Sequence, residues 1–298
     1  MPVLYNSNCL FEDSQGIKYS CDMLRIQGLL SDDGYTIEEF NAYFRDETNI
    51  RISDTAVNTA IGKYKFLWNI SCLHTTITVL HCFNGYTNSK DDNRRVVIEF
   101  NPNKMVYDDY NEIHKVLRCL VEVSVVRCDL ACDIPVGRDF CHLLKDKRNY
   151  QYCDFNESGI TEYLGVRNNT NFVKLYDKTK ESKLDTPATR LEITCKPQMI
   201  EFKKIIPKVI VEKGQFELEL MSYDNISKSQ LATIKVLQGL DVNTRVKALK
   251  SFSYRQRKKL SPYVLADTYE LKLDSKCVNA VFQWINNAIY NRSFTMTS

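Results

Sequence analysis

The sequence predicts an α+β protein, an antiparallel-sheet core followed by a mainly helical C-terminal part. Short runs with strand alternation recur up to about residue 196, among them 19–27, 95–100, 125–133 and 189–196. From Pro197 onward the apolar period changes to a helical one, so domains are expected over 1–198 and 199–298. A chain of 298 residues with 44% hydrophobic and 26% charged content is also long enough and apolar enough to bury a core.

The elements follow in order. Residues 19–27 form a first strand with Asp22, Leu24 and Ile26 on one side. A helix is expected over 35–46, where Thr36 caps, Glu39 closes a capping box and Tyr35 staples onto Phe40. Strand-like runs at 64–70 and 73–82 precede a polar loop over 84–93. The strand RVVIEF at 95–100 ends near Pro102, which lacks a ladder donor. From about Asp108 a helix carries Ile113, Val116, Leu117 and Leu120 at helical spacing. In the strand 125–133, Cys128, Leu130 and Cys132 face away from Arg127, Asp129, Ala131 and Asp133. A short helix is expected over 139–145.

Residues 161–165 and 172–178 then read as a hairpin around Asn168, Asn169, Thr170 and Asn171, residue types that suit turns. Alternation sets Phe172, Lys174, Tyr176 and Lys178 on one face, and Val173, Leu175 and Asp177 on the other. The strand 189–196 sets Leu191, Ile193 and Cys195 against Arg190, Glu192 and Thr194. Helices are expected over 227–239, ending in Gly239, and over 277–290.

A net charge of +3 means that any nucleic-acid role must rest on a local basic patch. Eleven cysteines, an odd count without a signal peptide or a C-x-x-C pair, argue for buried thiols rather than a disulfide framework. Apolar runs are too short to span a membrane, so a soluble, cytoplasmic protein with no membrane partner is expected.

Three strands present acids opposite apolar faces: Glu99, the pair Asp129 and Asp133, and Glu192. In one sheet they would converge near Tyr176 and hold a hard divalent metal, Mg2+ or Mn2+, against a phosphodiester. Asp129 and Asp133 repel on one strand face unless a cation sits between them. Glu99 and Glu192 could instead pair with Arg95 and Arg190 on a solvated sheet face. Tyr176 would be the nucleophile, with Lys174, Lys178 and Arg167 holding the phosphate backbone or stabilising developing charge. The alternative is an amphipathic tyrosine at a sheet edge. Between 245 and 259, Arg245, Lys247, Lys250, Arg255, Arg257, Lys258 and Lys259 occur without an acid and are interleaved with Phe252 and Tyr254, a footprint for DNA phosphates.

Four motifs occur in order: IEFNPNK at 98–104, RCDLACD at 127–133, EYLGVRNNTNFVKLYDK at 162–178 and RLEI at 190–193. On these the chain resembles the replication-initiation-factor (Rep_trans) family of rolling-circle plasmid initiators, relatives of the relaxase-like tyrosine nickases, most closely over residues 19–200. The resemblance implies a nickase core over 1–198 and origin recognition by 199–298. The hairpin tyrosine, Tyr176, would nick one strand and stay joined to the 5′ phosphate. Carboxylates would replace the histidine pair common among such nickases, and Asn101 and Asn103 would join Arg167 as DNA contacts. The implied partners are a double-stranded plasmid origin, its single-stranded nick site, a second copy of the chain and a host helicase. A conjugative relaxase, or a non-catalytic origin-binding protein, is the alternative.

Overall fold

The computed structural model describes residues 10–31, 42, 50–53, 57–59, 62–64, 66–81, 94–106, 108–156, 159–167, 169–195, 206–213 and 225–290. The strands are β1 (Phe11–Glu12), β2 (Lys18–Leu30), β3 (Ile50–Ser53), β4 (Val57–Thr59), β5 (Gly62–Tyr64), β6 (Phe66–Ser71), β7 (Thr76–His81), β8 (Arg95–Phe100), β9 (Leu120–Ile134), β10 (Cys141–Leu143), β11 (Tyr150–Phe155), β12 (Gly159–Leu164), β13 (Val173–Asp177), β14 (Thr189–Cys195), β15 (Val209–Glu212) and β16 (Thr268–Glu270). The helices are α1 (Asp109–Arg118), α2 (Lys178–Ser182), α3 (Lys228–Gln238), α4 (Val242–Ser251), α5 (Tyr254–Val264) and α6 (Ser275–Tyr290). An antiparallel sheet with helices is thus present, as expected for an α+β chain.

Two compact units can be told apart. The first comprises Met1–Cys132, Glu192–Ile200 and Asp274–Ser298, and the second Asp133–Leu191 and Glu201–Leu273. The chain passes between them four times, inside β9, inside β14, at 200/201 and at 273/274. The boundary expected at 198 falls within the Glu192–Ile200 segment of the first unit.

In the first unit the strand order is β9–β2–β8–β7–β6–β3, with β1 also on β2. The β2–β8 register runs from Leu24 opposite Phe100 to Leu29 opposite Arg95. Alternation buries Leu24 and Ile26, as their spacing predicts, together with Ile98, Val79 and Trp68. At Gly28 an added Cβ would lie 3.1 Å from the Leu120 side chain and the Val121 carbonyl, so glycine allows this approach to β9 without displacing either. Helix α1 buries Ile113, Val116 and Leu117, while Leu120 opens β9 rather than extending the helix. Helix α6 packs on β1 and β2; at its entry the Asp274 amide donates to the Tyr19 hydroxyl (2.8 Å), which donates to Asp13 (2.7 Å).

In the second unit β11, β12, β13 and β14 follow one another in a sheet, and β10, β15 and β16 form a separate one. Helices α3, α4 and α5 pack around Ile234, Leu237, Leu249, Leu260 and Val264. Ser227 and Ser253 each close a capping box and Asp241 caps α4, which fixes where all three helices start.

Differences from the sequence-based expectation are local. The helix expected over 139–145 is a 3-10 turn, Arg138–Phe140, followed by β10. Cys141 and Leu143 are buried there around half-buried His142, a period of two that pairing with β15 exploits. Strands β11, β15 and β16 are additions that the apolar pattern does not predict. The expected helix over 35–46 (Ala42 apart, which is helical) and the loop over 84–93 lie outside the described residues. The described cysteines are all free thiols. Among the described residues no helix is long and apolar enough to cross a membrane.

Candidate active site

The hairpin β12–β13 positions the tyrosine. Its register sets Thr161 opposite Tyr176, Glu162 opposite Leu175, Tyr163 opposite Lys174 and Leu164 opposite Val173. Two backbone positions at the turn need left-handed conformations. Gly165 has φ 96°, a conformation that strains any residue with a Cβ, which would also lie 3.3 Å from the Asn171 carbonyl, and Asn171 has φ 70°, which asparagine tolerates. The Phe172 amide closes the turn on the Asn169 carbonyl at 3.2 Å.

Tyr176 is 4% exposed, and the Lys174 ammonium lies 3.8 Å from the centroid of its ring. The cation meets the negative face of the ring. These two are the predicted residues that the hairpin brings together. The strand stops at Asp177, whose carboxylate accepts from the Lys180 amide (2.9 Å) and caps α2. Lys178 is therefore the first residue of a helix, not a continuation of the Tyr176 face. It is buried, and its ammonium lies 2.5 Å from Glu181.

On the other face of β12, Glu162 is 4% exposed and fully engaged. It accepts from Arg138 (2.6 Å), from the Tyr150 hydroxyl (2.6 Å) and from the Leu143 amide (3.1 Å). Arg138 is itself buried and donates further to the Ile160 and Cys141 carbonyls. Burial, and next the Glu162 carboxylate beside it, push the Tyr150 phenol above its ordinary range. Sequence reasoning missed this network; its one signal was an acid inside the otherwise strand-forming run ITEYL.

Three of the four acids expected to bind metal are paired with arginines. Glu99 pairs with Arg25, its cross-strand partner, at 2.6 Å. Asp129 takes a two-pronged contact from Arg127, two residues earlier, at 3.1 and 2.9 Å. Asp133 takes another from Arg190 at 2.5 and 2.7 Å, with Arg190 2% exposed. The cations demanded by two acids on one strand face are thus guanidinium groups. Glu192 is half-buried on β14. Among the described residues no group of three or more His, Cys, Asp and Glu side chains could hold a metal ion, so the expected ligand set does not assemble.

The expected DNA contacts divide. Asn101 caps a 3-10 turn by accepting from the Asn103 amide (2.9 Å), and Asn103 donates to Ser20 (3.0 Å) and Asp22 (3.3 Å). Arg245 is buried; it donates to both Asp267 oxygens (2.9 and 2.7 Å) and to the Leu240 carbonyl. That removes it from the basic surface. Arg167 is exposed in the hairpin turn. Lys250, Arg255, Lys258 and Lys259 are exposed, Arg257 is half-buried, and Tyr254 is 72% exposed at the start of α5.

No family model matches the chain. Two curated relatives, both replication initiation proteins of Staphylococcus aureus, are 28% and 26% identical to it over 121 residues. The matched stretch is 37% of this chain and 38% of each relative, so well under half of those proteins is covered. The resemblance to replication initiators carried by the four motifs agrees with what these relatives are. A solved structure of a rolling circle replication initiator protein from Geobacillus stearothermophilus aligns with 95% of this chain and 100% of that one, at a TM-score of 0.39 and 13% identity.

Proposed function

We propose that this chain initiates rolling-circle replication, nicking one DNA strand at a plasmid origin and later rejoining it. The observation that carries the reading is the tyrosine of the LYDK motif seated on a hairpin strand with a lysine ammonium 3.8 Å over its ring. The Tyr176 hydroxyl attacks the scissile phosphorus; the phosphorus–O3′ bond breaks and the 3′ oxygen leaves as a hydroxyl primer end. The 5′ phosphate stays on Tyr176 as a phosphotyrosine until a second transfer releases it. Lys174 balances the negative charge that develops at the attacked phosphate. Exposed Arg255, Lys258 and Lys259 hold the origin duplex. A second copy of the chain, to supply a second tyrosine, and a host helicase complete the proposal. A divalent cation belongs to it as well, with ligands other than the four acids as a set.

One observation favours a second reading, a non-catalytic origin-binding protein: at 4% exposure Tyr176 is buried as a structural anchor would be. Incubation with labelled origin single strand and Mg2+ or Mn2+ separates the two. Wild-type protein is expected to form a covalent adduct stable to denaturant, and Tyr176→Phe to form none while binding origin duplex with unchanged affinity. An adduct from the Phe variant would move the nucleophile, first to Tyr163. No adduct from the wild type would favour the binding protein.

A further inference from the structure

Alternation and register put more than Tyr176 on its face of the sheet. Across β11, β12 and β13 the rows are Phe155 with Gly159, then Cys153 with Thr161 and Tyr176, then Gln151 with Tyr163 and Lys174. Phe172, just before β13, belongs to the same face; its ring stacks on that of Tyr163, with centroids 5.7 Å apart and planes 17° from parallel. Aromatic rings therefore occur on both sides of the tyrosine's row, offset by two residues or about 7 Å in the strand direction, Tyr163 one strand across and Phe155 two strands, about 10 Å, across. Phe155 is 45% exposed on the edge strand and Tyr163 and Phe172 are half-buried, while Thr161 and Tyr176 in the row between them are each 4% exposed.

We infer that this face is a stacking platform for single-stranded DNA, holding the bases on either side of the phosphate presented to Tyr176. Stacking on rings is tolerant of sequence, because every base has a π face, and cations beside the rings track the backbone. Lys174, in the same row as Tyr163, supplies one. The Tyr163 and Phe172 rings lie 17° from parallel, an offset stack that a base could extend. The inference rests on the reading of Tyr176 as the nicking residue for its location, but the binding it describes can be measured without any nicking.

The probes are a fluorescent mixed-sequence single strand and the same sequence as a duplex. Phe155→Leu and Phe172→Leu are each expected to weaken single-strand binding by about 5- to 150-fold and to leave duplex binding within about twofold. Phe172→Tyr, which keeps the ring, is expected to retain wild-type affinity. A single strand carrying 2-aminopurine should be quenched on wild-type protein and not on the leucine variants. Unchanged single-strand affinity in both leucine variants overturns the inference, as does equal loss on single strand and duplex. It is overturned also if the leucine variants change only the oligomeric state, which would make the face a protein interface. If the platform variants lose single-strand binding while Tyr176→Phe still forms adduct, the platform stands and the nucleophile assignment fails. If Tyr176→Phe loses the adduct while the platform variants bind normally, the reverse holds.

Discussion

Glu162 shows how much a single side chain can hold that a sequence does not advertise. Its carboxylate satisfies a buried guanidinium, a phenol and a backbone amide at once. Removing one partner of such a pair leaves the other charge buried and unmatched, at a cost of about 3–5 kcal/mol. Glu162→Ala is therefore expected to lower the urea midpoint by that amount of stability, with Glu162→Gln milder because its one carbonyl oxygen still accepts from Arg138 and the Leu143 amide while its NH2 donates to the Tyr150 hydroxyl. Equal stability of Ala variant and wild type would show that Arg138 finds another partner. Single residues are also where sequence and structure part. The faces of Glu99, Asp129 and Asp133 are legible from alternation, and so is the need for a cation. Which cation is not, because Arg25 lies far from Glu99 in the chain and only the β2–β8 register joins them. Lys178 leaves the expected face for a local reason: Asp177 caps a helix and ends the strand one residue early.

At the level of elements, those with their own local signals are legible. The strand 95–100 and the helix capped by Ser227 stand where the pattern puts them, because alternation and a capping box are properties of adjacent residues. Strand β11 escapes such reading since its residues are mostly exposed and carry no apolar alternation, and β15 and β16 because they are only 4 and 3 residues long. The run from 245 to 259 looks in sequence like one basic face and is two helices, α4 and α5, broken at Phe252 and Ser253. Changing Arg255, Arg257, Lys258 and Lys259 together to Ala should weaken origin duplex binding and reduce the slope of log K against log salt by about 0.9 for each phosphate no longer neutralised. Arg245→Ala should behave differently, lowering stability while leaving the salt slope alone, since its guanidinium is committed to Asp267. A fourfold variant with the wild-type slope would show α5 to be an ordinary solvated helix.

Over the whole molecule, the chain leaves the first unit for the second at 200/201, close to the boundary expected at 198, but it crosses between the units three times more, inside β9, inside β14 and at 273/274. Helix α6 returns to the first unit and buries Val278, Val281, Phe282 and Ile285. Each such side chain contributes about 1.5–3 kcal/mol when buried, and four of them rival the about 5–15 kcal/mol by which a domain is stable. A fragment ending at residue 198 is therefore expected to bind a hydrophobic dye and to unfold without a sharp urea transition. Joining residues 274–298 to it through a flexible linker should restore cooperativity; a sharp transition in the short fragment itself would show α6 to be dispensable.

The interleaving of the two units inside β9 and β14 also limits how such a gene can be shuffled. A single crossover between two related coding sequences would leave at least one unit with mixed parentage, its sheet or core assembled from strangers. To trade one unit intact, residues 133–191 and 201–273 must move together while 192–200 stays behind. Chimaeras of related chains should be cut at all four of those points, because a cut at 200/201 alone, beside the seam expected at 198, splits both units.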